Sequence, residues 1–446
     1  MKNIRIGAGA AYSGDRVEPA VELARDGKLD YLVFECLAER TIALAQQARR
    51  RDPMGGYDPL LEKRMRAVLA LCAGQKIRII TNMGAANPES AAEKTRQIAC
   101  AMGLPGLKIA AITGDDVLDQ VKGSGHRSLD TDEPVKSFDN RMVSANAYLG
   151  AKPIVEALAA GADVVIAGRI ADPALFLAPL IHEFNWSMDD WTRLGRGTAV
   201  GHLLECGGQI TGGYFAEPGV KDVPDMARLG FPLAEVREDG TAIITKVVGS
   251  GGRVSAETCK EQLLYEVHDP RKYFQPDVVA DFSRIVVTEV GPDRVLIEGG
   301  DGHPRTDTLK VTVGYMDGFI GEGEISYAGT NALTRGQLAR EIVRERLRLT
   351  GAQYDEIRFD LIGVDSLHGE KISAQAPEPR EVRLRVAART SSMADAQVIG
   401  EEVETLWVNG PAGGSGARKY AREILAVLSV LLPRDQVRHT VRMMES

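Results

Sequence analysis

The chain has 446 residues, of which 44% are hydrophobic and 26% are charged, the composition of an ordinary globular protein. That length suggests two or three domains of roughly 100–200 residues each. The formal net charge of -8 and the pI near 5.6 argue against a nucleic-acid-binding protein, because such proteins normally present a basic face.

The five cysteines lie far apart, and their spacing fits neither a zinc ribbon nor a disulfide framework. No apolar run approaches the ~20 residues that a membrane helix needs. The N-terminus, MKNIRIGAGAAYSGD, does not contain the long apolar segment of a signal peptide. We therefore expect a cytoplasmic protein that has no membrane span and binds no metal or cofactor.

Strand-like and helix-like segments alternate along the first 200 or so residues. The pattern predicts helices at about 17–26, in a pair around 40–75 and from Pro88, with Asn87 as the N-cap of the last one. Apolar strands are predicted at 3–10, 31–37, 77–84, 107–116 and 163–168. This alternation predicts an α/β fold with a mostly parallel, doubly wound sheet. Barrel-like closure is the alternative, because periodicity does not separate the two.

Glycines multiply from about residue 200 and short β segments recur, which predicts a β-rich insertion packed on the first layer. Farther on we predict an amphipathic helix at 335–349, strands at 356–364 and 381–388, a helix at 393–407 and a last apolar helix after NGPAGGSGARK. The expected division is an α/β domain over 1–215, a β-rich segment over 216–330 and a C-terminal α+β region over 331–446.

Three carboxylates at predicted strand ends are candidates for acid/base catalysis. Glu35 lies inside an apolar run, where loss of hydration raises the pKa of a carboxyl group towards the range useful for proton transfer. Bonding of Glu35 to nearby backbone N–H groups is the alternative. Asp115 and Asp116 end the fourth strand, where they either activate water or cap the helix that follows. They lack the further ligands that a metal site needs.

Polar side chains at two other strand ends are candidates for substrate binding. Arg169 follows the fifth strand, and its planar guanidinium suits a carboxylate or a phosphate, so we expect it to face an open crevice. Asp172, which precedes Pro173, is predicted to cap a helix. Asn82 ends the third strand, where its amide can polarise a carbonyl group.

Glycine-rich segments supply the remaining candidates. The turn after the first strand does not have GxGxxG spacing, so a dinucleotide is not predicted. We predict substrate or anion binding by small and polar residues of three such segments: Gly9, Ser13, Arg16, Gln209, Thr211 and Arg253. Because ligands of open α/β sheets bind beyond the carboxyl ends of the strands, we expect one crevice to unite the strand-end residues with the segment CGGQITGG.

Several segments, taken together and in order, resemble the acyclic terpene utilisation family typified by AtuA. They include GAGAAYSGDR, TNMGAANP, ITGDD, AGRIADPAL, ECGGQITGGYFAEPG and NGPAGGSGARK, and they extend from residue 7 to residue 419. The family's name refers to the breakdown of citronellol and geraniol through CoA thioesters. The resemblance therefore implies a catabolic step on a branched acyl-CoA or a related acid. Many relatives carry an additional small ferredoxin-like domain at the C-terminus. Because the sequence ends soon after Arg438, we expect that domain to be absent or supplied by a separate protein.

The predicted function is a lyase of the hydratase or dehydratase type. Glu35 or one of the two adjacent aspartates moves the proton, while Arg169 and the glycine loops hold the substrate anion. The alternative is a non-catalytic binding subunit that works with a small ferredoxin-fold partner protein. We also expect a homo-oligomer.

Overall fold

The computed structural model describes residues 2–373 and 377–446. Two compact units make up the chain, one formed by Met1–Gly314 with Val427–Ser446 and the other by Tyr315–Ala426. No helix in the described ranges is long and apolar enough to cross a membrane.

The strands and helices are numbered in chain order. The strands are β1 (Asn3–Ala10), β2 (Tyr31–Phe34), β3 (Arg78–Thr81), β4 (Lys108–Thr113), β5 (Met142–Ala147), β6 (Val164–Ala167), β7 (Pro232–Arg237), β8 (Ala242–Lys246), β9 (Tyr273–Phe274), β10 (Val279–Asp281), β11 (Val286–Gly291), β12 (Arg294–Glu298), β13 (Asp301–His303), β14 (Thr308–Ala328), β15 (Glu356–Ile362), β16 (Glu381–Thr390), β17 (Ser415–Pro433) and β18 (Thr440–Glu445). The helices are α1 (Glu18–Asp26), α2 (Glu39–Arg51), α3 (Leu61–Gln75), α4 (Pro88–Ala101), α5 (Leu118–Val121), α6 (Lys152–Ala159), α7 (Asp172–Phe184), α8 (Trp191–Glu205), α9 (Ala256–Leu264), α10 (Ala332–Thr350), α11 (Gly369–Ser373), α12 (Met393–Glu404) and α13 (Leu406–Asn409).

A ten-stranded sheet with the order β11-β12-β8-β7-β1-β2-β3-β6-β4-β18 forms the framework of the first unit. The central strands β1, β2, β3, β6 and β4 are parallel to one another. The strands that flank them on both sides pair antiparallel. The predicted α/β class is therefore confirmed, but the sheet is mixed, and the expected parallel arrangement holds only at its centre. Within the described residues the strands do not close into a barrel.

Both faces of the parallel strands are buried, because helices pack against each. Side chains of a strand point alternately to its two faces. On β2, Tyr31 and Val33 join the core formed with α6, α7 and α8, whereas Leu32 and Phe34 join the core formed with α1, α3 and α4. A strand buried on both faces must be apolar throughout, which explains the uninterrupted run YLVF.

The strand predictions that matter for the site are accurate to within three residues. Glu35 directly follows β2, Asn82 follows β3, and Asp115 and Arg169 each lie two residues beyond β4 and β6. Since carboxyl ends of parallel strands meet at one edge of a sheet, these side chains start from the same edge. β5 was not predicted.

The second unit contains the strand order β15-β16-β14-β17. Along the chain its main elements follow as β14, α10, β15, β16, α12 and β17, which is the element succession and strand order of the ferredoxin-like arrangement. Ile325, Leu361 and Leu384 of the sheet pack with Val343 of α10 and Ile399 of α12.

The segment predicted as a last apolar helix is the strand β17. Leu428, Val430 and Leu432 are buried while Leu431 is exposed, an alternation with the period of a strand. The prediction is wrong because a continuous apolar run does not distinguish a buried helix from a strand, and pairing with β14 decides the outcome.

Candidate active site

Glu35 and Asn82 form a buried hydrogen-bonded pair beyond the ends of β2 and β3. Glu35 Oε1 accepts from the backbone N–H of Leu37 at 2.8 Å and from Asn82 Nδ2 at 3.0 Å. Asn82 Oδ1 accepts from the N–H of Cys36 at 2.7 Å. Burial, together with the charge of Asp172, raises the pKa of Glu35 to about 8. The amide that was expected to polarise a substrate is thus engaged in holding the loop after β2.

Asp115 is also buried, and its carboxylate binds the backbone just beyond the end of β6. Its Oδ2 accepts from the N–H of Arg169 at 3.0 Å and from Asn146 Nδ2 at 2.8 Å. A Cβ atom at position 168 would lie 2.5 Å from Asp115 Oδ1. Glycine at this position therefore allows the end of β6 to approach the Asp115 carboxylate closely. Burial raises the pKa of Asp115 to about 6.

Asp116 makes a separate set of contacts. Its Oδ2 accepts from Gln46 Nε2 at 3.0 Å, and its Oδ1 accepts from the N–H of Leu118, the first residue of α5, at 3.3 Å. Val117 occupies the N-cap position of α5 and no side chain of the described residues caps this helix, so the predicted capping by an aspartate is not found. The two adjacent carboxylates therefore do not face one ligand. Over residues 2–373 and 377–446, no group of three or more His, Cys, Asp or Glu side chains is placed to hold a metal ion.

Arg169 is fully buried, which corrects the expectation that it faces an open crevice. Its Nε donates to the carbonyl of Ile170 at 3.0 Å, Nη1 donates to the carbonyl of Leu37, and Nη2 donates to the carboxylate of Asp172. The guanidinium carbon lies 4.5 Å from the centre of the Tyr148 ring. Arg169 therefore positions Asp172 and Tyr148 from behind and does not contact solvent.

Asp172 and Tyr148 both line a pocket of about 510 Å³, here called the Asp172 pocket. That volume lies within the range of about 300–1,000 Å³ that is usual for small-molecule sites. Its polar lining includes Glu39, Tyr148, Asp172, Glu266, Tyr273 and Lys310, and its apolar lining includes Leu129, Phe274, Leu309 and Leu431. Phe274 is 63% exposed and Leu129 is 57% exposed, so apolar surface is open to a ligand here.

Lys310 is a cation of this pocket that a ligand can reach. Its side chain is 43% exposed, whereas that of Arg169 is 0% exposed. Lys310 Nζ lies 3.1 Å from Glu39 Oε1, which also accepts from the Tyr148 hydroxyl at 2.6 Å. Although burial opposes ionisation, the contacts with Tyr148 and Lys310 lower the pKa of Glu39 to about 2. Glu39 is thus a fixed anion that orients Lys310 and Tyr148.

Asp172 and Glu266 are the other carboxylates of the pocket. Asp172 is the first residue of α7, and Ala171 occupies the N-cap position. The prediction that Asp172 caps this helix is therefore wrong. Burial raises the pKa of Asp172, although the charge of Arg169 opposes this. Glu266 adopts a φ of 60°, a left-handed conformation that is unfavourable for a non-glycine residue. Backbone strain of this kind is concentrated at functional sites.

The turn after β1 is closed by its own side chains. The Asp15 carboxylate accepts from the N–H groups of Ala11 at 2.9 Å and Arg16 at 2.8 Å, which takes up donors that were expected to approach an anion. From the other side, the buried Arg64 Nη2 donates to the carbonyl oxygens of Ser13 at 2.9 Å and Asp15 at 3.2 Å.

Gly9 and Arg16 likewise contact protein. A Cβ atom at Gly9 would lie 2.7 Å from the ring of Phe34, so glycine is needed for packing between β1 and β2. The guanidinium of Arg16 donates to the carbonyls of Ala227 at 3.2 Å and Leu229 at 2.6 Å.

The three candidates beyond residue 200 lie away from the lining of the Asp172 pocket. The Thr211 hydroxyl is buried, 2.7 Å from the carbonyl oxygen of Gly230. Gln209 is half-buried at the end of a short 3₁₀ turn. Arg253 pairs with Glu257 at 3.4 Å and lines a separate surface cleft. The sequence predicts that one crevice unites the strand-end residues with the glycine-rich segment CGGQITGG. None of these three residues lines the Asp172 pocket.

Sequence reasoning missed most of the polar pocket residues: Glu39, Tyr148, Glu266, Tyr273 and Lys310. Tyr148 follows β5, a strand that was not predicted. Lys310 is one polar position in an alternating strand, and no local pattern separates it from other exposed lysines. Only Asp172 carried a local signal, and that signal predicted a helix cap.

Comparison with known proteins places the chain in a family. Residues 4–443 match the family described as Acyclic terpene utilisation family protein AtuA, and the chain belongs to this family. The match confirms the resemblance carried by the sequence motifs. Neither a curated protein nor a solved structure matches the chain.

Proposed function

We propose that this member of the AtuA family is a hydro-lyase that adds water to, or removes it from, a small carboxylic acid or an acyl-CoA thioester in the Asp172 pocket. One observation carries the proposal. A carboxyl group with a raised pKa, an accessible cation and exposed apolar side chains line the same pocket.

Elimination of water requires a base that removes a proton from the carbon next to the carbonyl group. Asp172 fits this role, because a raised pKa strengthens a carboxylate as a base and Arg169 holds it in place. Lys310 is suited to bind the substrate carboxylate or thioester oxygen, and its charge stabilises the negative charge that develops there. These roles replace those first predicted for Glu35 and Arg169, which are buried.

The apolar lining favours a substrate with a hydrocarbon chain. Leu129, Phe274 and Leu431 remain exposed although all three line the pocket. Burying apolar ligand area against them contributes roughly 25 cal/mol per Å². An acyl chain held there leaves its carboxyl end towards Lys310 and Asp172, and a branched isoprenoid acid is in keeping with the family's name.

Turnover of a panel of unsaturated and hydroxylated acyl-CoAs and short acids tests the proposal. We expect Asp172→Asn to lower kcat by about 10²–10⁴-fold, the usual contribution of a general base. Lys310→Met should chiefly raise KM and abolish the melting shift that a bound acid produces. Lys152→Met removes an exposed lysine outside the pocket lining and serves as the control.

Thermal melts without ligand establish that each variant is folded. If no member of the panel is turned over, yet one shifts the melting temperature, the protein is a binding subunit and the lyase proposal is overturned. If Lys310→Met and Lys152→Met behave alike, the Asp172 pocket is not the binding site.

A further inference from the structure

Behind the Asp172 pocket lies a buried pair of titratable side chains that the proposed reaction does not yet use. His202 and Glu205 are three residues apart on α8, and His202 Nδ1 lies 2.7 Å from Glu205 Oε1. Both residues are buried. His202 Nε2 and Glu205 Oε2 have no hydrogen-bond partner in the described part of the chain. Buried polar atoms are normally satisfied, so exceptions of this kind require an explanation.

Tyr273 connects this pair to the pocket. It lines the pocket, and its hydroxyl lies 3.5 Å from His202 Nδ1. The rings of Tyr273 and Phe282 pack against the imidazole with centroid distances of 5.0 and 5.6 Å, which fixes its orientation. A single imidazole nitrogen, Nδ1, thus contacts both Glu205 and the hydroxyl of a tyrosine that lines the pocket.

The electrostatic environment keeps one transferable proton in the pair. Burial lowers the pKa of His202 to about 4, so the ring is neutral at neutral pH. Burial, together with the charges of Asp172 and Glu266, raises the pKa of Glu205 well above its ordinary value, against the opposing charge of Arg169. We therefore assign a protonated Glu205 that donates to Nδ1, with the ring's own proton on Nε2.

The phenol shares this environment. Burial raises the pKa of Tyr273, and the charges of Asp172 and Glu266 act in the same direction. Tyr273 is therefore a neutral phenol at neutral pH. Tyr273 lines the pocket together with Asp172 and Glu266, while its hydroxyl lies near His202 on the side of Glu205.

We infer that Tyr273, His202 and Glu205 form a proton relay into the Asp172 pocket, in which Tyr273 is the general acid for the leaving hydroxyl group. The direction of transfer rests on the proposed dehydration. Asp172 takes the proton from the carbon next to the carbonyl, the carbon–oxygen bond breaks, and the O–H bond of Tyr273 breaks as its proton converts the leaving hydroxide to water.

The relay then restores the phenol. The Glu205 proton passes through His202 Nδ1 to the phenolate oxygen, which leaves a carboxylate at Glu205 and a neutral imidazole whose Nδ1 accepts from the Tyr273 hydroxyl. The enzyme has gained one proton at Asp172 and lost one at Glu205. Exchange with solvent through the pocket resets both groups, and hydration runs the same steps in reverse.

Nitrogen NMR of histidine-labelled protein tests the relay without any substrate. The spectrum of His202→Gln identifies the His202 signals. We expect Nδ1 to carry no proton and Nε2 to be protonated at neutral pH in the wild type and in Glu205→Gln, since the amide can still donate to Nδ1. A protonated Nδ1 in the wild type would leave no acceptor for Glu205 or Tyr273, and the relay would be overturned.

Steady-state kinetics provide the second test of the relay. The substrate is the member of the acid and acyl-CoA panel that the wild type turns over fastest. Tyr273→Phe and Glu205→Gln should each lower kcat by about 10²–10⁴-fold while KM and the ligand-induced melting shift stay unchanged. Tyr214→Phe, at a tyrosine that is 78% exposed, is the control. Full kcat in Glu205→Gln overturns the relay and leaves the lyase proposal standing. Absence of wild-type turnover overturns the lyase proposal, and the NMR result then decides whether the buried pair is arranged as inferred.

Discussion

The guanidinium of Arg169 donates to the carbonyls of two loops and to Asp172, and it has no exposed area. A buried charged side chain with these contacts stabilises the fold and also positions residues of the pocket. Removing one partner of a buried ion pair leaves the other groups unsatisfied, and the cost of doing so is larger than the pair's net stabilisation.

Arg169→Ala is therefore expected to lower the free energy of unfolding by roughly 3–5 kcal/mol. Urea denaturation followed by circular dichroism measures it. Arg25→Ala, at an arginine whose side chain is 59% exposed, should leave the free energy of unfolding nearly unchanged. If Arg169→Ala is as stable as that control but no longer responds to ligand, Arg169 faces the ligand after all.

Glu35 makes the stability of the fold depend on pH. Its pKa is raised from 4.5 to about 8 in the folded protein, so between these values the folded chain binds more protons than the unfolded chain. The stability that protonated Glu35 contributes is present in full below about pH 4.5 and is lost as the pH rises through about 8.

Glu35→Gln removes this titration and keeps the oxygen that accepts from Leu37 and Asn82. Across that pH window we expect the variant to gain stability relative to the wild type by up to about 1.4 kcal/mol per pH unit. Urea denaturation of both proteins in pH steps measures the difference. A difference that does not change with pH would mean that Glu35 is ionised in the fold throughout the window.

At the scale of elements, α4 shows a local signal that the structure confirms. Asn87 is its N-cap and accepts from the N–H of Ser90 at 3.4 Å, as the sequence predicts. The same side chain also donates to the carbonyls of Pro53 and Gly55, each at 2.9 Å, and so ties the helix start to an earlier loop. The cap is readable from sequence, because its partners are neighbours along the chain, whereas the loop contacts are not.

Asn87→Ala is expected to destabilise the fold by about 0.5–2 kcal/mol for the cap alone, with a further loss from the loop contacts. Asn87→Ser retains a capping oxygen but cannot donate to the loop, so its stability should lie between those of the alanine variant and the wild type. Thermal melts of the three proteins provide the comparison. Equal melting temperatures for the serine and alanine variants would show that the cap contributes nothing measurable.

Segment β17 shows where local pattern fails. Its apolar run suits a helix or a strand, and its partner β14 begins more than a hundred residues earlier in the chain. Strand pairing satisfies the backbone N–H and carbonyl groups of both segments at once. Propensity within a single segment contains no information about that partner.

For the molecule as a whole, the two units have separate hydrophobic cores. In the unit formed by Tyr315–Ala426, the helices cover one face of the sheet. The other face carries cross-strand ion pairs such as Arg383 with Glu324 and Arg385 with Glu322. The period-two alternation of charged and apolar residues in β16 follows from this, and it made that strand predictable.

By itself the sequence determined the family, the α/β class, the parallel central strands, their carboxyl ends and the cap of α4. All of these follow from patterns within a few residues or from motifs in order along the chain. Only the tertiary structure decided which charged side chains reach a shared pocket. Lys310 and Glu39, 271 residues apart, meet there, while Arg169 is buried behind Tyr148. The reason is physical: hydration of a charge depends on the elements that cover it, and those elements come from distant parts of the chain.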